Sequence, residues 1–303
     1  MNRKALRADV LLLLTACIWG FAFVAQRSGM EYVGPFTYNG IRFLLGSLSL
    51  IPLIIYRKGG VQEKTGRKQS RSIVVISFIL SSLAAGTCLF IGASLQQVGI
   101  IYTTAGHSGF ITGLYVVLVP IFGIFLGRET GLPTWVGAAF TLTGLFFLSV
   151  AGDMSAINRG DLITAISAIF WALHVLVIDR LVQKFDPIML SAGQFAWCSI
   201  FSLIVGYLTE PFSLESTIQG LLPILYGGLG SVGIAYTLQV VAQKDAPPAH
   251  ACIILCLEGV FAAIGGIIIL SEPLGPWTLL GFVLILCGML ATQWDLIFAP
   301  LHQ

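Results

Sequence analysis

Residues 9–19 read DVLLLLTACIW and residues 161–171 read DLITAISAIFW, the same aspartate-to-tryptophan frame set 152 positions apart (161 − 9). Working outward from these stretches, the same shift brings Pro35 onto Pro187 and Phe43 onto Phe195. Further along, a shift of 143 (238 − 95) brings Leu95-Gln96 onto Leu238-Gln239, His107 onto His250, Glu129 onto Glu272 and Pro133 onto Pro276. The nine-residue difference (152 − 143) is absorbed by a longer basic loop in the first copy. The chain therefore reads as one unit written twice, 1–150 and 151–303.

Composition sets the solvent. Hydrophobic residues make up 56% of the 303 residues and charged residues only 10%, far from the balance of a water-soluble domain. Crossing about 30 Å of hydrocarbon takes roughly 20 apolar residues as a helix. Such runs are expected at 9–28, 35–56, 73–97, 100–126, 131–150, 160–180, 187–208, 217–241, 247–270 and 275–293, with the third and fourth divided near Gly99. They are about twice the length of a barrel strand and lack strict alternation, so helices that satisfy their own backbone are expected. The fold class is an all-α membrane protein with ten transmembrane helices as two inverted-topology five-helix repeats. Five spans per copy is an odd number, which turns the second copy upside down. That is the arrangement of carriers that expose a central site alternately to either side.

Orientation follows from the cations, which accumulate in cytoplasmic loops. With the N-terminus inside, thirteen lie on the cytoplasmic side: Arg3, Lys4, Arg7, Arg57, Lys58, Lys64, Arg67, Lys68, Arg71, Arg128, Arg180, Lys184 and Lys244. Only Arg27 and Arg159 fall outside, and Arg42 lies within a span. Both termini are expected in the cytoplasm. The net charge of +2, with no aromatics among the basic loop residues, gives no reason to expect a nucleic-acid partner; the loop is a topology signal with anionic-lipid contact secondary. The six cysteines all fall in apolar spans, as packing residues rather than disulfides or metal ligands. No metal or cofactor is expected. Leu14-Thr15-Ala16-Cys17 resembles a lipoprotein processing box, but a cut there would remove the first span and destroy the duplication, so the span is kept.

Several motifs now stand in order: Ala16-Cys17-Ile18-Trp19-Gly20-Phe21-Ala22-Phe23, Arg42-Phe43-Leu44-Leu45, Val119-Pro120 and Leu126-Gly127-Arg128-Glu129 in the first copy, then Leu257-Glu258-Gly259-Val260-Phe261, Leu270-Ser271-Glu272-Pro273-Leu274, Gly281 and Gly288 in the second. Together they make the chain resemble the drug/metabolite transporter superfamily, in its EamA-like ten-helix branch. The resemblance implies an inner-membrane carrier of small metabolites such as amino acids, often moved outward, through a cavity between the two repeats. Spans 5 and 10 would then be peripheral. Gly259 stands where many relatives have a proline after the glutamate, so no proline is present there to break the helix.

Charges within spans are costly and usually face protein or water. Arg42 could grip a carboxylate or another anion, and Glu258 could bind an ammonium group or titrate a proton. Alternatively the two pair with each other or with polar neighbours and hold the bundle together. Trp19, Phe23 and Gln26 recur on one face of the first span, with Trp171 and Val175 on the equivalent face of the sixth. Such a stripe serves either packing or ring stacking with a cargo. Tyr38 and Asn39 could complete a polar pocket with Arg42; Gln96 and Gln239 supply amides, and His174 lies one turn beyond Trp171. His107 and His250 begin the fourth and ninth spans at opposite faces, which suits either two gates or two helix caps. An intramembrane enzyme using His107, His174 or Glu258 as acid and base is the alternative function, but neither His-Glu-x-x-His nor Gly-x-Ser-x-Gly occurs. A channel is less well matched, because the charged pair is asymmetric between the copies. No Gly-x-x-x-x-Gly-Lys loop occurs, so a gradient would have to supply the energy. The expected partners are lipid and a small-molecule substrate; proton coupling and a homodimer are left open.

The charge distribution makes one direct prediction. Reporters fused after Lys68 and after Gly152 give opposite-side signals, and same-side signals would overturn the ten-span topology.

Overall fold

Proline marks where the helices begin. Pro35, Pro187, Pro248 and Pro276 each stand in the first turn of a helix, where the missing N–H costs nothing. The computed structural model describes residues 3–57, 71–103, 105–149, 159–270 and 275–292. Among them are helices and no strand. In chain order these are α1 (Arg3–Gly29), α2 (Pro35–Tyr56), α3 (Arg71–Tyr102), α4a (Ala105–Thr112), α4b (Tyr115–Phe125), α5 (Leu132–Ser149), α6 (Arg159–Leu181) and α7 (Pro187–Thr209). A short helix Leu214–Gln219 leads into α8 (Leu221–Ala242), followed by α9a (Pro248–Leu255), α9b (Leu257–Leu270) and α10 (Pro276–Thr292). Segment 151–158, expected to be external, most of the basic loop and the motif residues 271–274 lie outside the described residues.

Among the described residues, six helices are long and apolar enough to cross a membrane: α1, α2, Ser72–Tyr102 of α3, α6, α7 and α8. Shorter apolar helices make up the rest. Side chains such as Leu13, Leu48, Ile51, Ile200 and Ile204 are exposed on the outside of the bundle, which is the surface hydrocarbon requires.

Three departures from the sequence expectation matter. First, α3 does not end near Gly99 but runs on to Tyr102. Gly99 serves close helix contact instead of a turn: a Cβ there would press on Thr164 and lie 3.0 Å from the Gly160 carbonyl of α6. Second, the expected continuous segments 100–126 and 247–270 are each broken, at Gly113-Leu114 and at Cys256. These positions are equivalent under the shift of 143 (256 − 113), and the Cys256 thiol points its weak donor at the Gly113 carbonyl, 3.9 Å away. The absent proline at 259 does not prevent the break. Third, residues Tyr226–Tyr236 of α8 form wide π turns, whereas the equivalent residues 83–93 of α3 are ordinary α-helix. Long π stretches are rare and mark functional positions.

The helices pack as crossed pairs. α2 lies along α7, α3 against α6 and α7, and α1 against α8 and both halves of α9; α8 also packs on α2, α4 on α6, and α5 on α10. Small residues set the distances, as membrane helix contacts require. A Cβ on Gly144 of α5 would lie 2.7 Å from Ile285 Cγ1 and 2.8 Å from the Gly281 carbonyl of α10. Gly288 is closed in by Thr141 and Gly137 in the same pair. Ser199 Oγ donates to the Gly40 carbonyl at 2.9 Å and Ser47 Oγ to the Ala192 carbonyl at 3.0 Å, tying α2 to α7.

The starts of α2 and α7 are capped by different routes. Asp186 precedes α7 and accepts from the backbone N–H groups of Ile188 and Met189 at 3.0 and 3.2 Å. The equivalent of Asp186 is Gly34, which has no side chain to offer. Glu210, at the far end of α7, supplies the missing carboxylate and accepts from Phe36 and Thr37 N–H at 2.8 Å each. These N–H groups are the equivalents of those on Ile188 and Met189 (36 + 152, 37 + 152). An anion at a helix N-terminus both caps and complements the dipole. Glu210→Ala should therefore lower stability by about 1 kcal/mol, read as a fall in thermal midpoint in detergent, whereas Glu215→Ala on the neighbouring surface helix leaves the midpoint unchanged.

Candidate functional site

Helices α1, α2, α3, α4, α6, α8 and α9 surround a central cavity of about 40 Å³, room for a few water molecules. Ten of its fourteen lining residues form five pairs related by the two sequence shifts: Trp19 with Trp171, Phe23 with Val175, Gln96 with Gln239, Thr112 with Leu255, and Tyr115 with Glu258. The other four are Gln26, Arg42, Ser231 and Tyr236. The helix breaks account for part of this gathering. Each break starts a new half-helix beside the cavity, and its first turn presents Tyr115 from α4b and Glu258 from α9b. The positive end of the α9b dipole favours a carboxylate at that position.

Arg42 is 1% exposed. Its Nε donates to Asn39 Oδ1 at 2.9 Å, and its guanidinium carbon lies 5.5 Å from the Tyr38 ring centre and 4.9 Å from that of Phe43. Ring faces and an amide oxygen partly replace the water that a buried cation loses. Glu258 is buried in the same lining, and among the described residues no ion pair joins it to Arg42. Arg42 and Glu258 thus line one cavity without an ion pair between them. Tyr236 lines the same cavity, its ring centre 4.5 Å from Trp19, 6.1 Å from Trp171 and 5.9 Å from Phe43. Four buried polar atoms of the lining have no hydrogen-bond partner: Gln26 Oε1, Gln239 Oε1, Trp171 Nε1 and the Tyr115 hydroxyl. Two acceptors, one donor and a hydroxyl that can do either are therefore available to whatever enters.

The structure brings Trp19, Phe23, Arg42, Gln96, Trp171, Gln239 and Glu258 to the cavity. Tyr38, Asn39 and His174 do not line it. Tyr38 and Asn39 sit behind Arg42, with Tyr38 O–H donating to the Pro223 carbonyl at 3.1 Å. His174 lies behind Trp171 and pairs through Nε2 with Gln194 Oε1 at 2.8 Å. One turn of helix carries it past the cavity edge. The residues that sequence reasoning missed are Thr112, Tyr115, Ser231, Leu255 and Tyr236. The shift of 143, applied to Glu258, gives Tyr115 and would have found it. Tyr236 faces inward because of the π turns, which leave no mark in the apolar pattern.

His250 donates from Nε2 to Asp9 Oδ1 across 2.8 Å, joining the starts of α9a and α1. His107 lies on α4a, and its side chain is outside the described residues. Asp161, the equivalent of Asp9, accepts from Thr103 Oγ1 at 2.5 Å at the opposite end of the bundle. Asp9 and Asp161 marked the duplication in the sequence, and in the fold each ties the start of its helix to a neighbour. A further ion pair joins Arg128 to Asp179 of α6. Gly127 makes it reachable: its φ of 74° lies in the left-handed region that turns the chain at the end of α4b.

Comparison with known proteins places these features in a family. Residues 6–150 and 158–293 each match the EamA-like transporter family. An uncharacterized transporter of Archaeoglobus fulgidus is 30% identical, over 95% of this chain and 86% of its own length. The uncharacterized inner membrane transporter YedA of Escherichia coli K12 is 26% identical, over 88% of this chain and 84% of its own. A protein crystal structure with 18% identity covers 98% of this chain and 99% of its own at a TM-score of 0.79, a likeness of fold.

The approach of α1 to α9 at Glu258 can be tested by one substitution. A Cβ on Gly20 would meet Phe261 Cβ and stand 2.8 Å from the Glu258 carbonyl and the Ala262 nitrogen. Gly20→Val therefore forces α1 off α9b, and overpacking of this kind costs about 1–3 kcal/mol. The expected result is a lower thermal midpoint, whereas Gly109→Ala, with open space around it, leaves the midpoint unchanged.

Proposed function

Since the chain belongs to the EamA-like transporter family, we propose that this membrane transporter is a secondary carrier that moves small zwitterionic metabolites, amino acids or related compounds, outward across the inner membrane by alternating access. The observation that carries this reading is the unpaired Arg42 and Glu258 on one buried cavity. Each needs a counter-charge that the protein does not provide in place, and a molecule with a carboxylate at one end and an ammonium at the other supplies both. The Trp19, Trp171 and Tyr236 rings give an ammonium group aromatic faces. Gln26 and Gln239 offer acceptors to the same end of the cargo.

In this reading residues 1–150 and 151–303 are two five-helix units of inverted orientation, with both termini cytoplasmic. Support comes from the five equivalent pairs on the cavity and from the packing, in which exchanging α1 with α6, α3 with α8 and α4 with α9 maps the observed contacts onto one another. A cavity of about 40 Å³ is too small for an amino acid, so the helices part to load and release cargo. Glu258 exchanges the cargo's ammonium for a proton, which lets the proton gradient drive export. His250 with Asp9, and His107 at the other end, belong to opposite gates.

The test is uptake of a panel of amino acids into proteoliposomes carrying wild-type protein, Arg42→Gln or Glu258→Gln. Loss of one charge-assisted contact should weaken transport at least roughly tenfold. Arg42→Gln loses every carboxylate-bearing cargo. Glu258→Gln loses acceleration by an imposed pH gradient while cargo-for-cargo exchange continues. Transport by both variants at wild-type rate would remove the zwitterion reading.

A further inference from the structure

The two cavity tryptophans occupy equivalent places, yet they are bonded differently. Trp19 Nε1 donates to the carbonyl of Ser231, inside the π-turned part of α8, at 3.3 Å. One turn earlier on α1, Thr15 Oγ1 shares its hydrogen between the Leu11 carbonyl of its own helix, at 2.9 Å, and the carbonyl of Ala235 in the same part of α8, at 3.1 Å. Both equivalents on α6 are unlatched. Trp171 Nε1 is buried without a partner. Ser167, the equivalent of Thr15 (15 + 152), donates within its own helix to Thr164 at 2.6 Å. Facing them, residues 83–93 of α3 are regular α-helix. The Trp171 ring already lies against Gly92, the equivalent of Ala235 (235 − 143), since a Cβ on Gly92 would stand 3.4 Å from the ring.

From this asymmetry we propose that Trp19 and Trp171 alternate between holding a helix and holding the cargo. In the state described here Trp19 and Thr15 latch α8 in its wide-turned form, and the free Trp171 N–H is the cargo's hydrogen-bond donor. In the opposite state the roles exchange. Residues 83–93 take up the wide turns, Trp171 and Ser167 bond to the carbonyls of Cys88 and Gly92, and Trp19 releases Ser231 to receive the cargo. Inverted repeats reach the opposite-facing state by trading conformations, so an asymmetry between them in one state is reversed in the other. A helix carbonyl is held by a side chain most readily where the i→i−4 ladder is already disturbed, as in π turns. The exchange rests on the carrier reading above, and it makes the two tryptophans positioning residues for both cargo and conformation.

The experiment uses the full chain with its six native cysteines replaced, reconstituted in vesicles without cargo. Single reporter cysteines are placed at Val33 and Leu11, which line separate cavities at the two ends of the bundle. Removing a latch disfavours the state it holds, and one net hydrogen bond shifts the balance by roughly fivefold. Trp19→Phe should therefore move the ratio of Val33 to Leu11 labelling one way, and Trp171→Phe the other way. Thr15→Val and Ser167→Ala leave both rings in place and should shift the ratio in the same two opposite senses, which keeps the test valid if a tryptophan variant does not accumulate. Shifts in one common direction, or none, in vesicles whose unsubstituted protein takes up an amino acid, overturn the exchange and leave the carrier reading standing. Opposite shifts in protein that moves no zwitterion support the exchange and overturn the zwitterion cargo instead.

Discussion

A helix that stops in the middle of an apolar bundle leaves backbone groups that hydrocarbon cannot satisfy, and the rest of this structure depends on where that is allowed. It is allowed at Gly113-Leu114 and Cys256, where the two breaks meet each other inside the protein. Because the breaks are buried against one another, two half-helices can begin at cavity level with Tyr115 and Glu258 in their first turns. The remaining walls follow from close helix contacts at glycine. Gly20 brings α1 against the backbone of Glu258, and Gly46 brings α2 against Val232 of α8. A larger side chain at either point would separate the helices that carry the two charges.

The cavity is built from equivalent positions but is not symmetric in chemistry. Tyr115 faces the place of Glu258, and the equivalent of Arg42 is Gln194, which is turned away to hold His174. Charge therefore comes once from each copy: the cation from the first and the carboxylate from the second. Two copies of either charge would repel across a low-dielectric gap, whereas one of each gives the cavity a polarity along which a dipolar cargo can align. The duplication thus supplies a framework, and single substitutions within it supply direction.

A similar division appears at the helix starts. Asp186 caps α7 from within its own copy, while Gly34 leaves α2 to be capped by Glu210 from the other copy. One end of the α2–α7 pair is consequently tied between copies by a charge-assisted contact, and the other start is capped locally. His250 with Asp9 at one end of the bundle, and Thr103 with Asp161 at the other, add carboxylate contacts at the ends to the hydroxyl, indole and amide bonds of the interior.

The sequence by itself determined the solvent, the helical class, the duplication and the two buried charges. Each of these rests on a property that one residue or one run carries alone: apolar length against hydrocarbon thickness, an offset between matching residues, or the cost of a charge in a span. Trp19, Trp171, Gln96 and Gln239 were legible for the same reason, since they recur at the offsets. Which face of each helix turns inward was decided only by the tertiary structure. Helices apolar on all sides give no periodic signal to orient them, so Tyr38, Asn39 and His174 read as cavity residues until neighbouring helices claimed their polar atoms. Tyr236 escaped notice because wide turns in α8, stabilised by Thr15 and Trp19 on another helix, rotate it into the cavity. The breaks at Gly113 and Cys256 carry no proline to announce them. They meet in the fold, where the Cys256 thiol points at the Gly113 carbonyl, a contact between segments 143 residues apart that no stretch of sequence can state alone.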